Sequence, residues 1–380
     1  MRWIIDGQPY MPFLTLDPQN EDSIRHVVAT MFRLKGDTYS TLKVLPVPAG
    51  NTNILFCVSG LREKKTSPRT TTNNDDDDDE NVPDSVLVRV FGAQGLIDRD
   101  VETSTYAALA QQGIALPYYG RFANGRLEEW LGNMKTLSEP DTAIPEISQT
   151  IAKHLAILHS KFKIPEHLQD YHDPTKPPTL WTQLYTWLDQ SLASTFLNDH
   201  DTQRAQALEL SNLKDELEWL RSSVVSNTAK VGFCHNDVLA ANILWSSSRL
   251  QLIDFEYGGI NYLSYDIANH FNEFAGGTSG DATPDYTQFP SPELQRAFVT
   301  EYLNNTSVVG GNGNSHDQAV VEDTLREVKG FVLANHLVWG LWGVNQAATE
   351  GCDEFDYLQY ATCRIRRYYI DKKEWETTTA

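Results

Sequence analysis

FCHNDVLAANILW, residues 233–245, sets His235, Asp237 and Asn242 in one short loop between apolar segments. A further carboxylate, Asp254, follows in LIDFEY (252–257). ILW (243–245) and LQLIDF (250–255), separated by the turn-like SSSR, read as a small hairpin with the polar loop at one end and Asp254 at the other. Any of these residues alone is an ordinary turn former, because Asp and Asn are the usual occupants of turns. The ordered set, at strand boundaries, asks for a chemical reason.

His235, Asp237 and Asn242 fit H-x-D-x-x-x-x-N, and with Asp254 they have the layout of a kinase catalytic loop and its metal-binding aspartate. Phosphoryl transfer needs a carboxylate beside the attacking hydroxyl, to orient it and take its proton. It also needs oxygen ligands that hold magnesium against the phosphates. Asp237 suits the first task; Asn242 and Asp254 suit the second. His235 reads as a hydrogen-bonding residue of the loop with no catalytic part. Glu256 and Asp266 read as groups behind a metal site or as ties for the loop, with Asp266 the tie. Two departures speak against a protein kinase gated by phosphorylation. Asn236 stands where those enzymes carry arginine, and Asp254-Phe255-Glu256 lacks the glycine of D-F-G.

Upstream, ILFCVSG (54–60) and VLVRVFG (86–92) read as an antiparallel pair of strands, preceded by an amphipathic helix over 21–35. No G-x-G-x-x-G is present, but Gly50 with Asn51, Thr52 and Asn53 offers donors for phosphate. Arg89 occupies the place of a strand cation for the nucleotide phosphates, with Glu102 as a candidate partner. The alternative is a surface arginine on an edge strand. The connection between the strands, about 62–84, is polar, charged and nearly free of apolar side chains, and is expected to be disordered. A helix over 101–113 and a strand over 125–131 complete a first lobe, residues 1–130. The second lobe, 131–380, reads as mainly helical, with helices over 147–162, 179–195, 202–222, 292–304, 317–347 and 354–370. The fold class expected is α+β: a protein-kinase-like, two-lobed chain with a small strand-rich N-lobe and a larger helical C-lobe.

Composition narrows the partners. With 31 Lys+Arg against 51 Asp+Glu the formal charge is -20, which repels a phosphate backbone and excludes nucleic acid as the expected partner. Part of that charge is the run Asp75–Glu80. The N-terminus carries no signal-peptide pattern, so a cytoplasmic protein is expected. The four cysteines show no CxxC spacing, and neither disulfides nor zinc are expected. FVLANHLVWGLWGVNQAA (331–348) is interrupted by Asn335, His336, Asn345 and Gln346, and reads as a buried helix with a polar stripe, not a membrane span.

FCHNDVLAANIL, LIDFEYGGINYLSYDIANHFNEFAG, HLVWGLWGVNQA and the TN of GNTNILF together resemble the choline and ethanolamine kinases, in order over about residues 40–370. DRD (98–100), NHFNEFAG (269–276) and FDYLQYA (355–361) look more like ethanolamine kinases, whereas GRLEEW (125–130) is closer to the choline kinase pattern. The resemblance implies ATP-dependent phosphorylation of a small amino alcohol, the first step toward phosphatidylethanolamine or phosphatidylcholine. It implies Asp237 as base, Asn242 and Asp254 as Mg2+ ligands, Arg89 with Asn51, Thr52 and Asn53 on the ATP phosphates, and Glu129 near the adenine. The amine then sits among Tyr257, Glu273, Trp339, Trp342 and Tyr360. Aromatic pairs three apart, as in Trp339 and Trp342 or Tyr357 and Tyr360, share a helix face and suit a cation, though the same spacing also suits a core. Ethanolamine is the acceptor expected, with choline or both as the alternative. An aminoglycoside-type kinase would want a broad acidic floor, and an inactive scaffold would have lost Asp237, Asn242 or Asp254. A second copy of the chain, as a homodimer, completes the partners considered.

Overall fold

SVLVRVF supplies the strand around which the first unit is built. In the computed structural model, which describes residues 3–5, 7–34, 38–48, 53–62, 82–92, 98–278, 280–306 and 318–379, the chain divides into two compact units, Met1–Met134 and Lys135–Ala380. The first holds β1 (Trp3–Ile5), β2 (Gln8–Met11), α1 (Glu21–Phe32), α2 (Thr38–Thr41), β3 (Lys43–Val47), β4 (Asn53–Ser59), β5 (Ser85–Phe91), α3 (Arg99–Gln111), β6 (Tyr118–Phe122) and β7 (Gly125–Glu129). They form a seven-stranded sheet in the order β1-β2-β6-β7-β5-β4-β3. Only the β2–β6 pair is parallel. β5 lies between β7 and β4, so Arg89 is on an interior strand and the edge-strand alternative is excluded.

α1 shows why a sheet needs a helix. Asn20 caps it by accepting from the backbone N–H groups of Asp22 and Ser23, at 3.0 and 3.4 Å. Ile24, Val27, Val28 and Met31 then fall at i, i+3, i+4 and i+7 and bury their stripe with Val58, Val86, Val88, Phe122 and Leu127 of the sheet.

The second unit contains β8 (Lys135–Thr136), α4 (Glu139–Thr142), α5 (Pro145–Lys161), α6 (Thr179–Ala193), α7 (Asp199–Gln206), α8 (Leu213–Trp219), β9 (Val231–Cys234), β10 (Ile243–Ser246), β11 (Arg249–Leu252), β12 (Gly259–Tyr262), α9 (Leu263–Glu273), α10 (Pro292–Asn305), α11 (Gln318–Glu350) and α12 (Tyr357–Thr379). The single helix expected over 202–222 is broken: α7 stops, Glu209 takes a left-handed φ of 48°, and α8 continues into a π-turn over Leu220–Val224. The expected hairpin is β10–β11, with β8 added alongside β10. β9 pairs with β12, and α9 begins at the next residue. α11, 33 residues long, packs against α9, α6 and α12. Two of its interior polar residues find partners: Asn345 Nδ2 donates to Trp187 O at 3.1 Å, and His336 Nε2 meets Asp371 at 3.2 Å. Among the described residues no helix is long and apolar enough to cross a membrane. The four cysteines are free thiols. The loop expected to be disordered lies, over 63–81, outside the described residues.

Candidate active site

The loop between β9 and β10 is held by one face of α9. Asp266 accepts from the backbone N–H of His235 on Oδ2 at 2.7 Å and from that of Asn236 on Oδ1 at 2.6 Å. Asn269 accepts from Val238 N at 2.5 Å, and His270 Nδ1 donates to Val238 O at 3.0 Å. These three residues stand at i, i+3 and i+4, so one helical stripe grips three of the four loop positions 235–238. α5 braces the grip: His159 Nε2 donates to Asp266 Oδ2 at 3.0 Å, and its Nδ1 meets the Tyr302 hydroxyl at 2.9 Å. The gathered ligand atoms of His159, Cys234 and Asp266 would suit a metal by type. Asp266, however, is already engaged by loop amides and His159, so the cluster works as a tie.

His235 is buried and fixed from both sides of its ring. Asp237 N–H donates to Nδ1 at 3.3 Å, and Nε2 lies 2.8 Å from Ile253 O, which requires the proton on Nε2. Burial lowers its pKa, so it stays neutral. Asn236 takes a left-handed φ of 67°; its side chain donates to Tyr257 O at 2.9 Å and accepts from Asn261 at 2.7 Å. Asp254 is left-handed too, at φ 62°. Such backbone is costly away from glycine and persists where the surroundings fix it.

Asp237 and Asn242 are in direct contact. Asn242 Nδ2 donates to Asp237 Oδ2 and to Asp237 O, both at 3.0 Å. Asp237 Oδ1 is buried with no protein donor among the described residues. Burial, and then the negative charges of Glu273, Glu256 and Asp254, push the Asp237 pKa well above the usual carboxylate range. Carboxylates gathered this closely in a buried place stay ionised when positive charge is brought to them. Asn242 Oδ1 and the Asp254 carboxylate offer the hard-oxygen chemistry that Mg2+ takes.

The expected amine residues also come together. Trp342 Nε1 donates to the Tyr257 hydroxyl at 3.1 Å, and its ring lies edge-on to Trp339 at 5.7 Å and to Tyr360 at 6.1 Å. Trp339 meets Tyr257 at 5.5 Å. Glu273, at i+7 from Asp266 on α9, has its Oε1 held by the buried Arg364 at 3.1 Å. Sequence reading missed Arg364, Asn269 and His270. The last two carried a signal, because Asp266, Asn269, His270 and Glu273 make a polar stripe at helical spacing.

In the first unit Arg89 and Arg126 stand opposite each other on β5 and β7. Like charges in that register repel, and Glu128, two residues on from Arg126 and on the same face, bridges them. Its Oε1 accepts from Arg89 Nε at 2.8 Å and from Arg126 Nε at 2.6 Å. Burial raises the Glu128 pKa, but Arg89 and Arg126 overcome it and leave about 2. The carboxylate beside Arg89 Nε is thus Glu128, and Glu102, the expected partner, meets Arg126 and Arg99, each at 2.7 Å. Arg126 and Glu128 went unread in the sequence, although an Arg-x-Glu on a strand opposite Arg89 was the available signal. Asn53 is buried at the start of β4, and Glu129 is half-buried at the end of β7. Asn51 and Thr52 lie outside the described residues.

The family model described as Choline/ethanolamine kinase matches residues 44–369. Probable choline kinase 3 of Arabidopsis thaliana is 31% identical over 371 residues, which cover 95% of this chain and 96% of the relative. Ethanolamine kinase 1 of Mus musculus is 33% identical over 302 residues, 78% of this chain and 79% of its own. Among solved structures, an ethanolamine kinase from Plasmodium vivax superposes with a TM-score of 0.74 at 24% identity, over 95% of this chain and 93% of that one. That likeness concerns the fold, which is protein-kinase-like. The chain belongs to the choline/ethanolamine kinase family, and is thereby a small-molecule kinase.

Proposed function

We propose that the chain is an ethanolamine kinase, transferring the γ-phosphoryl group of ATP to the hydroxyl of ethanolamine to give phosphoethanolamine for phosphatidylethanolamine synthesis in the cytoplasm. The observation that carries the reading is Asp237, a buried carboxylate with Oδ2 fixed by Asn242 and Oδ1 without a protein donor among the described residues. Oδ1 receives the hydroxyl, orients its oxygen toward phosphorus and takes the proton as the new P–O bond forms. Asn242 and Asp254 would hold Mg2+, which when bound offsets the negative charge of the phosphates. Arg89, with Asn51, Thr52 and Asn53, takes the ATP phosphates, and Glu129 stands by the adenine. Arg89 is suited to this because Glu128 fixes its Nε and leaves a permanent charge.

The ammonium group lies against Tyr257, Trp339, Trp342 and Tyr360 and is met by Glu273. A primary ammonium has N–H groups and wants a carboxylate acceptor; a trimethylammonium group has none and wants aromatic faces. The aromatic cluster favours choline as the second reading, and Glu273 favours ethanolamine. ADP release is measured with ethanolamine and its mono-, di- and trimethyl forms, using Asp237→Asn as the blank. Turnover should fall as methyls are added, and Asp237→Asn should lower kcat by about 10²–10⁴-fold with nucleotide affinity unchanged. Turnover that holds or rises through to choline makes the aromatic faces dominant and the second reading correct.

A further inference from the structure

Glu273 has a charged neighbour whose surroundings are as well built as its own. Arg364, on α12 and fully buried, donates to Glu273 Oε1 at 3.1 Å and to Asn335 Oδ1 at 2.6 Å. Asn335 is fixed in turn: its Nδ2 donates to the Tyr265 hydroxyl at 3.1 Å, and its Oδ1 also accepts from Asn272 at 2.8 Å. The guanidinium carbon lies 5.6 Å from the centre of the Tyr360 ring. Arg364 Nε has no acceptor among the described residues, so the pairing is incomplete as well as buried. A buried ion pair is often no more stabilising than apolar side chains of similar volume. An arrangement that is costly to fold and held from three helices, α9, α11 and α12, has its use at Glu273.

We propose that Arg364 is the positioning residue for the acceptor's amine: it holds Glu273 as an anion with Oε1 occupied and Oε2 left for the ammonium group, and so sets acceptor affinity without touching the acceptor. The inference rests on the amino-alcohol reading above. The titratable and charged groups facing Glu273 are Arg364 and Tyr360 from α12, Glu139 from α4, Asp237 from the loop, and Tyr286 from the short turn Tyr286–Gln288. Burial raises the Glu273 pKa and Glu139 adds to the rise, while Arg364 opposes both. Without the guanidinium the carboxyl takes up a proton at higher pH. Below that pH it presents no charge to a cation, so the acid limb of kcat/KM for the acceptor moves toward neutrality.

Arg364→Met, Arg364→Lys, Glu273→Gln and the Arg364→Met/Glu273→Gln double variant are prepared in the full chain and assayed from about pH 6 to 9. Arg364→Met should raise the acceptor KM by about 10–100-fold, leave the ATP KM and kcat within about threefold, and shift the acid limb upward. Arg364→Lys keeps the charge and loses the fork; it should raise the acceptor KM less and leave the limb in place. On the Glu273→Gln background, Arg364→Met should add less than about threefold, because the two residues act as one. Parallel rises in both KM values with an unmoved limb overturn the proposal and make Arg364 a packing residue. If Arg364→Met does not fold, Arg364→Lys decides, and a wild-type acceptor KM in that variant overturns it. Failure of the wild-type enzyme to use any of the amino alcohols sinks the acceptor reading instead. Turnover of ethanolamine or choline with a Glu273→Gln KM equal to wild type leaves that reading standing and overturns this one.

Discussion

Both carboxylate oxygens of Asp266 are engaged with the backbone of the loop that carries Asp237, and His159 closes the arrangement from α5. An amide of the same shape has one oxygen to offer. In Asp266→Asn its NH2 group faces a loop N–H, donor against donor, at a fully buried position. Losing a charge-assisted bond and stranding a buried donor should cost about 2–4 kcal/mol of unfolding free energy. The loop then loses its aim, so kcat should fall with it. Urea unfolding and turnover of the variant check both, and wild-type values for either show that α9 does not set the loop. Asp237, Asn242 and Asp254 were legible together because the loop and hairpin place them within a single short segment. Arg364 was not, because its partners Asn335 and Glu273 are 29 and 91 residues away in sequence. A spacing argument reaches only as far as one element.

Among the elements, those with one wet face were legible. α1 and α5 alternate buried and exposed positions at helical period, and β10–β11 is marked by its turn. α9 was not placed as a helix: all eleven of its residues are buried, so its polar stripe faces other protein groups and not water, and was not read as the wet side of a helix. α11 was legible from its apolar content, but its glycines were not explained by sequence. Glycine in a helix interior costs about 1 kcal/mol relative to alanine, so Gly343→Ala alone would be stabilising. A Cβ at 343, however, would stand 2.9 Å from Tyr357 O and 3.2 Å from Ala361 Cβ, so it meets the backbone of α12. Only glycine lets α12 come this close, and α12 carries Tyr360 and Arg364 toward Trp339 and Trp342 of α11. Gly343→Ala should therefore destabilise the fold by about 1–3 kcal/mol and raise the acceptor KM more than the ATP KM. A neutral or stabilising result in thermal unfolding shows that α12 can yield without loss.

For the molecule as a whole, burial sets opposing responses to acid. His172, His270 and His336 have pKa values lowered to about 4 by burial in the second unit. The unfolded chain takes protons at these positions near pH 6.5, where the folded chain does not. Their stabilising contribution is whole above about pH 6.5 and is lost as pH falls toward 4. Asp237 and Glu273 run the other way, since burial raises them and the folded chain takes their protons first. Glu128 of the first unit, held at about 2, keeps its contribution until the pH drops below about 4.5. Because these effects overlap, a histidine's share is read by difference. His270→Asn keeps a donor for Val238 O and removes the titrating ring. The constant cost of the substitution cancels when only the pH-dependent part is compared. Between about pH 7 and 5 the wild type should lose about 2 kcal/mol more than the variant. Urea unfolding followed by tryptophan fluorescence reads the right part of the chain, since of the nine tryptophans only Trp3 and Trp130 belong to the first unit. Parallel pH profiles for the two proteins would mean that His270 titrates as a solvated histidine does, and that α9 opens to water well before the molecule unfolds.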